Sequence, residues 1–111
     1  MEEYIMLPKT AYDVVVATVA DYERMRKLVE GNSISIDKVG NLTRKLAAIE
    51  DAMLAVCDGE EPEAAKALMR DIAYRRGYER SEAKKYYPAV ATFERRKRDL
   101  INMIAKMLGI I

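Results

Sequence analysis

The sequence predicts an all-α protein, a small helical bundle with an N-terminal helical hairpin and a C-terminal helix-turn-helix. Ala, Leu, Met, Lys, Arg and Glu dominate the 111 residues, and these residue types favour helix. Five Gly and three Pro are too few for a loop-rich all-β domain. Apolar residues recur at spacings of three and four. We expect one domain, 1–111, with the hairpin over 10–57 and the helix-turn-helix half over 63–111.

The first helix is predicted to follow Pro8. Thr10 has the residue type of an N-cap, with Asp13 three residues later in the position of a capping box. The β-branched run 14–16 favours a strand. The apolar and aromatic periodicity favours a helix that continues for about five turns and ends at Gly31. Its residues are Tyr12, Val15, Val19, Tyr22, Met25 and Val29.

The second helix completes the predicted N-terminal hairpin. Residues 34–36 alternate like a very short strand, and Ser35 or Asp37 is predicted to cap the helix. Its apolar residues form a heptad-like seam, which suits either an antiparallel helix pair or a dimer contact. The seam residues are Val39, Leu42, Leu46, Ile49, Met53 and Val56.

A loop over 57–62 leads into the third helix. Pro62 is predicted to lie in the first helical turn, where a missing N–H group costs nothing. The helix is expected over 63–76, with Gly77 as its end. Cys57 is the single cysteine, so an intramolecular disulfide is excluded and the expected role is that of a small buried apolar side chain.

The C-terminal part is predicted to form a helix-turn-helix. Ser81 can cap a short helix over 81–87, which Pro88 ends. A three-residue turn, 88–90, then precedes a long helix over 91–108. Two helices joined by a tight turn, the second of them basic, are typical of DNA-binding helix-turn-helix proteins. A bundle whose C-terminal helices merely pack together is the alternative.

The long helix, capped at Ala91 or Thr92 and stopped by Gly109, has two different faces. The apolar face carries Phe93, Leu100, Ile101, Ile104 and Leu108. The opposite face carries Arg95, Arg98, Asn102 and Lys106. Its basic start and apolar end are typical of a recognition helix, whose N-terminal residues touch base edges in the major groove. A core helix with a solvated charged start is the other interpretation.

The charge is distributed unevenly. The chain has a net charge of +1. Residues 70–98 contain ten cations and four anions, a net charge of +6, so the remainder carries −5. A basic region set against an acidic remainder indicates a face that binds a polyanion.

The candidate DNA contacts follow from side-chain chemistry. Arginine can donate to guanine, threonine can touch a thymine methyl group, and a carboxylate can accept from cytosine. The predicted base contacts are Thr92, Glu94, Arg95 and Arg98. Cations elsewhere suit phosphates, which fix position without reading sequence. The predicted phosphate contacts are Arg75, Arg76, Arg80, Lys84 and Lys85.

Several stretches resemble a known family. Residues 69–74, 91–101 and 104–109 resemble phage transcriptional regulators of the ArpU and RinA type, which are similar in turn to region 4 of sigma-70 factors. Residues 6–9, Tyr12, 21–25 and 49–53 look like prophage proteins of gut Firmicutes with the same C-terminal ending. The resemblance implies a regulator of late genes that reads DNA with its C-terminal half.

The composition argues against other classes. There is no His and a single Cys, so catalysis by a Ser-His or Cys-His pair and a zinc site with imidazole ligands are excluded. We expect no enzyme activity, no metal and no cofactor. No apolar run is long enough to span a membrane, and we expect a cytoplasmic protein.

The expected partners are double-stranded DNA, RNA polymerase and a second copy of the chain in a homodimer. The alternative function is a helical protein-interaction module that contacts RNA polymerase or a phage-assembly protein without binding DNA.

Overall fold

The computed structural model describes residues 7–31 and 36–110, with side chains for all of these except 36–39. The described residues form five α-helices and two 3₁₀ helices, without a strand, so the all-α prediction is confirmed. The α-helices are α1 (Lys9–Ala20), α2 (Tyr22–Glu30), α3 (Ile36–Val56), α4 (Pro62–Ala73) and α5 (Val90–Met107). The first and second 3₁₀ helices, Tyr78–Arg80 and Glu82–Lys85, lie between α4 and α5.

All five α-helices contribute side chains to one core. Each of these side chains is essentially inaccessible to solvent, and together they join α1 and α2 to the C-terminal helices. The largest apolar ones are Val15, Met25, Ile49, Leu68, Ile72, Phe93, Leu100 and Ile104. Cys57 is buried at the edge of this core, as predicted.

The predicted first helix is divided into α1 and α2. Asp21 separates them, with φ −91° and ψ −2°. The two helices have different neighbours, since α1 packs against α4 and α5 whereas α2 packs against α3. A straight helix could not bury its apolar side against both sets of partners. The N-terminal hairpin therefore consists of α2 and α3, and Gly31 ends α2 as predicted.

The predicted cap at Thr10 is wrong. Helix α1 begins at Lys9, and the Tyr12 N–H donates to the Pro8 carbonyl at 3.0 Å. Thr10 therefore lies exposed inside the first turn, and no described side chain caps α1. The fixed φ of Pro8, −56°, already directs the chain into the helix.

The seam of α3 packs within the chain. Leu46 and Ile49 are buried, while Leu42, Met53 and Val56 pack against the core at its edge. Its partners are α5 and α2, so the structure realises the helix-pair interpretation of the seam.

Part of the α3 prediction concerns positions outside the described residues. These are residues 34 and 35 of the alternating stretch and the cap at Ser35, together with the side chains of Asp37 and Val39. Ile36 is the first residue of α3.

Helix α4 begins with Pro62, as predicted, but ends before the predicted Gly77. Arg75 takes the left-handed conformation, φ +53°, that glycine usually supplies after a helix. The Arg76 N–H donates to the Asp71 carbonyl at 2.8 Å, and the Arg75 N–H donates to the Ile72 carbonyl at 3.3 Å. These two hydrogen bonds close a Schellman motif around an arginine.

The predicted short helix before α5 is a single 3₁₀ turn. Ser81 caps it as predicted, since its hydroxyl accepts from the Ala83 N–H at 2.8 Å. The turn after Pro88 is present, and α5 starts at Val90 behind an extended Ala89. The order of short helix, tight turn and long helix is therefore present, with a first helix of four residues.

The predicted cap of the long helix is wrong, because Ala91 and Thr92 both lie inside α5. The predicted stop is correct. Gly109 has φ +76°, and the Ile110 N–H donates to the Ala105 carbonyl at 2.9 Å.

Candidate nucleic-acid interface

The two faces of α5 separate as the sequence predicts. Phe93, Leu100, Ile101 and Ile104 are buried, whereas Leu108 is half-buried. On the opposite face Arg95, Arg98 and Lys106 are exposed, and Asn102 is half-buried. One side of the helix therefore anchors it in the core while the other presents cations to solvent.

The start of α5 is suited to an anion. Its first turn contains no acidic residue, and no side chain in the described part of the sequence caps it. The first N–H groups of an α-helix have no partner within the helix, and its dipole leaves partial positive charge there. Arg95 and Arg98 in the following turns add to that positive potential at a cost to helix stability, since cations are disfavoured near a helix N-terminus.

The four predicted base-contact residues all lie in the first half of α5. Arg95, Arg98 and Glu94 are exposed, and Thr92 is half-buried. Arg95 makes no hydrogen bond or ion pair within the ranges that the structure describes. Glu94 lies four residues before Arg98, and Asp99 lies four residues after Arg95. The exposed side of α5 therefore carries both positive and negative charge.

Four of the five predicted phosphate contacts are exposed, and three of these lie close together in the sequence before α5. Arg80, Lys84 and Lys85 all lie in or beside the two 3₁₀ helices that precede α5. The Lys84 Nζ donates to the Glu79 carbonyl at 3.3 Å. The Lys85 Nζ lies 5.2 Å from the centre of the Tyr86 ring. Neither contact neutralises the ammonium charge, so both lysines keep the chemistry that phosphate binding requires.

The other two predicted phosphate contacts face carboxylates. The Arg75 Nη2 lies 3.1 Å from the Asp13 Oδ1 on α1. The Arg76 Nε lies 3.3 Å from the Oδ1 of the buried Asp71, and the Arg76 side chain is 25% exposed. A buried carboxylate therefore balances the Arg76 charge, whereas the Arg75 pair is about half exposed and is screened by solvent. The sequence could not indicate this, because Asp13 is 62 residues away from Arg75.

Asp71 is the centre of a buried polar cluster that positions the segment before α5. Its Oδ2 accepts a hydrogen bond from the Ser81 hydroxyl, which also caps the second 3₁₀ helix. The Arg76 contact is an ion pair without hydrogen-bond geometry among the described atoms. Burial raises the pKa of Asp71, and the Ser81 hydrogen bond and the Arg76 charge oppose that rise.

A second cluster fixes the start of α5. The Tyr87 hydroxyl donates to the Glu60 Oε1 at 2.8 Å, and the Arg96 Nε donates to its Oε2 at 3.3 Å. Burial, followed by the hydrogen bond to Glu60, raises the pKa of Tyr87. Glu60 lies in the loop predicted over 57–62, and that loop assignment gave no indication of these two partners. The available signal was that a buried tyrosine hydroxyl requires an acceptor.

Tyr78 supports the turn from the other side. Its hydroxyl donates to the Pro88 carbonyl at 3.0 Å, and its ring packs edge-on against Phe93 with 5.2 Å between ring centres. Tyr78, Tyr86 and Tyr87 thus pack in or against the core, whereas Tyr74 is exposed.

Internal ion pairs reduce the effective charge of the basic region. Carboxylates contact several of its cations: Arg70 pairs with Glu82, Arg75 with Asp13, Arg76 with Asp71, and Arg96 with Glu60. Exposed cations also lie at the second 3₁₀ helix and in the first half of α5.

Fold and surface together define a small helical bundle that presents the basic start of its last helix. No protein-family model, curated protein or solved structure matches the chain.

Within 7–31 and 36–110, no cluster of His, Cys, Asp and Glu could hold a metal ion. None of the helices described here has the length and apolar character needed to cross a membrane.

Proposed function

We propose that this protein is a DNA-binding regulator of transcription, of phage origin, that reads DNA with the first half of α5. The observation that carries the proposal is the exposure of Arg95 and Arg98 on a helix whose opposite face is buried. A recognition helix needs this combination, since its anchored face fixes the angle at which its side chains enter the major groove.

The proposal assigns different roles to different cations. Arg95 and Arg98 donate to guanine edges, and Thr92 and Glu94 contact neighbouring bases. Arg80, Lys84 and Lys85 bind phosphates beside the groove, together with the uncapped N–H groups at the start of α5. Arg76 has a smaller part than the sequence predicts, because the buried Asp71 already faces it, whereas Arg75 can exchange its exposed partner Asp13 for a phosphate at little cost.

Binding-site selection from a random duplex pool, followed by fluorescence anisotropy titration of the selected duplex, tests the proposal. The Arg95→Ala, Arg98→Ala double variant should lose about 1–3 kcal/mol of sequence discrimination for each base contact that it removes. Both side chains are exposed, so the fold should be unaffected. A control variant with Arg44→Ala and Lys106→Ala changes the charge equally at exposed residues outside the proposed contacts.

The proposed phosphate contacts are tested separately, through the salt dependence of the DNA affinity. The affinity of the unmodified chain should fall steeply with salt concentration, by about 0.9 in log–log slope for each phosphate contact. The Lys84→Ala, Lys85→Ala variant should reduce that slope without changing sequence preference. If the protein selects no sequence, or if its binding does not depend on salt, the proposal is wrong.

The alternative is a helical module that binds RNA polymerase or a phage-assembly protein without DNA. It requires the Arg95→Ala variant to behave like the unmodified chain, and co-purification with polymerase in the absence of DNA affinity would favour it. Its sequence-based interface, the seam of α3, is already packed against α5 and α2. A partner would therefore have to use another surface. The expected homodimer stays a prediction.

A further inference from the structure

A groove of about 470 Å³ lies between α2 and α4, on a surface that the proposed DNA contacts do not use. Its floor is apolar and comes from three helices: Val19 and Ala20 end α1, Met53 projects from α3, and Met69 and Ala73 belong to α4. This volume falls within the range of about 300–1,000 Å³ that ligand pockets occupy. The floor exists because α2 diverges from α1 at Asp21 and packs against α3, not α4.

The rim of the groove is mainly basic. Arg26 and Lys27 line it from α2, and Lys66 and Arg70 line it from α4, so cations border both long sides. Glu23 and Glu30 are the acidic residues of the lining. The rim therefore has a net charge of +2, although the whole chain carries +1.

The rim cations can exchange their present partners. Arg26 contacts Glu30 at 3.0 Å, Lys66 contacts Glu63 at 3.6 Å, and Arg70 contacts Glu82 at 3.1 Å. In these pairs each side chain is at least 45% exposed, and exposed ion pairs of this kind contribute about 0–1 kcal/mol. A carboxylate from outside can therefore replace an internal one at little cost.

Tyr74 gives the groove an aromatic edge. Its side chain is 72% exposed, and tyrosine is a residue type enriched at protein interfaces. The Arg76 guanidinium lies 5.3 Å from the centre of the Tyr74 ring, and Asp71 in turn holds Arg76. Tyr74 is thus exposed, but its ring packs against Arg76, which Asp71 holds in place. An exposed aromatic ring held in this way is suited to anchor an interface.

We propose that this groove binds an acidic amphipathic helical segment of a partner protein. The apolar side chains of that segment would fill the floor, and its carboxylates would pair with Arg26, Lys27, Lys66 and Arg70. A nucleic acid would satisfy the rim but would leave the methionine floor unused. The inference goes beyond the proposed function and does not depend on DNA binding.

The probe for this site is a labelled peptide of about 16 residues, long enough to form a helix on a surface, with leucines on one face and glutamates on the other. A matched peptide carries lysine in place of glutamate, and polyglutamate serves as an anion without apolar side chains. The acidic amphipathic peptide should bind at least tenfold more tightly than either control.

Methionine methyl groups report the location of binding by NMR. The acidic peptide should shift the Met53 and Met69 signals, which belong to the floor of the groove. It should leave Met107 unchanged, since that exposed residue ends α5 and does not line the groove.

Two surface variants test the contribution of each part. The Lys27→Glu, Lys66→Glu variant and the Tyr74→Ala variant should each weaken peptide binding at least tenfold, and all three residues are exposed. The control, Arg44→Glu with Lys106→Glu, has the same change of charge outside the groove and should bind normally.

Three results would overturn the proposal: equal binding of polyglutamate and the amphipathic peptide, unchanged affinity in the Tyr74→Ala variant, or peptide-induced shifts confined to methionines outside the groove. The Arg95→Ala, Arg98→Ala variant should bind the peptide normally, which separates this site from DNA recognition.

Discussion

Replacing Ser81 with alanine tests whether the buried Asp71 cluster holds the segment that leads into α5. The Ser81 side chain performs two functions through one oxygen atom. It accepts from the Ala83 N–H at 2.8 Å, which caps the second 3₁₀ helix, and it donates to the Asp71 carboxyl group. Both Ser81 and Asp71 are buried, so water cannot easily replace the missing hydroxyl.

The expected loss follows from these two hydrogen bonds. Removing a capping serine costs about 0.5–2 kcal/mol, and removing a hydrogen bond to a buried charged group costs about 1.5–3 kcal/mol. The two contributions share one atom and do not add fully, so we expect a loss of about 2–4 kcal/mol. A typical domain is stable by about 5–15 kcal/mol, so the variant should still fold.

The loss should depend on pH. The pKa of Asp71 in the folded protein is raised by burial above its ordinary value of 3.8, and the Ser81 hydrogen bond limits that rise. Without the hydroxyl the pKa of Asp71 rises further. The folded state then binds the proton more tightly than the unfolded chain, so stability declines as pH rises through that pKa. The difference between variant and parent should therefore be largest near neutral pH and smaller where Asp71 is protonated.

Urea unfolding followed by circular dichroism measures this effect. With a slope of about 2 kcal/mol per molar urea, in the middle of the usual range, the midpoint of Ser81→Ala should fall by about 1–2 M at neutral pH. Thr43→Ala, which removes a hydroxyl from an exposed position of α3, should change the midpoint little. A loss below about 1 kcal/mol, or a loss that is the same at every pH, would refute the reasoning about the cluster.

Three further substitutions test other parts of the fold. Phe93→Ala should cost about 3–5 kcal/mol of unfolding free energy, because the side chain is fully buried; a loss near 1 kcal/mol in urea unfolding would contradict this. Gly109→Ala should lower stability by about 1 kcal/mol at φ +76°, whereas Gly77→Ala, with open space around it, should be neutral or slightly stabilising; equal melting temperatures would contradict this. Tyr87→Phe should cost about 1–3 kcal/mol by leaving Glu60 without its 2.8 Å hydrogen bond, and a neutral effect in urea would show that water replaces it.

Part of the candidate DNA surface was predictable from local sequence. The exposure of Arg95 and Arg98 follows from helical spacing, since both residues lie opposite the apolar face of one helix. The role of Arg76 was not predictable in this way. Its carboxylate partner, Asp71, is five residues earlier, but the two meet only because the chain reverses at Arg75. Nothing in the sequence marks Arg75 as a residue with positive φ. The sequence predicted that Gly77 would end this helix.

The groove between α2 and α4 is a second feature that local sequence did not predict, and it involves residues from several helices. Its methionines, tyrosine and cations are ordinary helix residues when each helix is considered alone. They line one groove because the helix breaks at Asp21, and α1 and α2 on either side of the break pack against different helices. The sequence pattern across that position continues without interruption, so periodicity predicted one straight helix.

Local sequence was sufficient to predict that the protein is all-α, that α4 begins at Pro62 and α5 ends before Gly109, and which face of α5 is buried. These properties depend on residues within a few positions of one another, so spacing and capping chemistry are sufficient to predict them. The tertiary structure alone decided where the first helix breaks, which cations are neutralised, and which surfaces stay open. Those outcomes depend on pairs such as Arg75 with Asp13 and Arg96 with Glu60, 62 and 36 residues apart. Such pairs form only when packing of the apolar faces brings distant segments together.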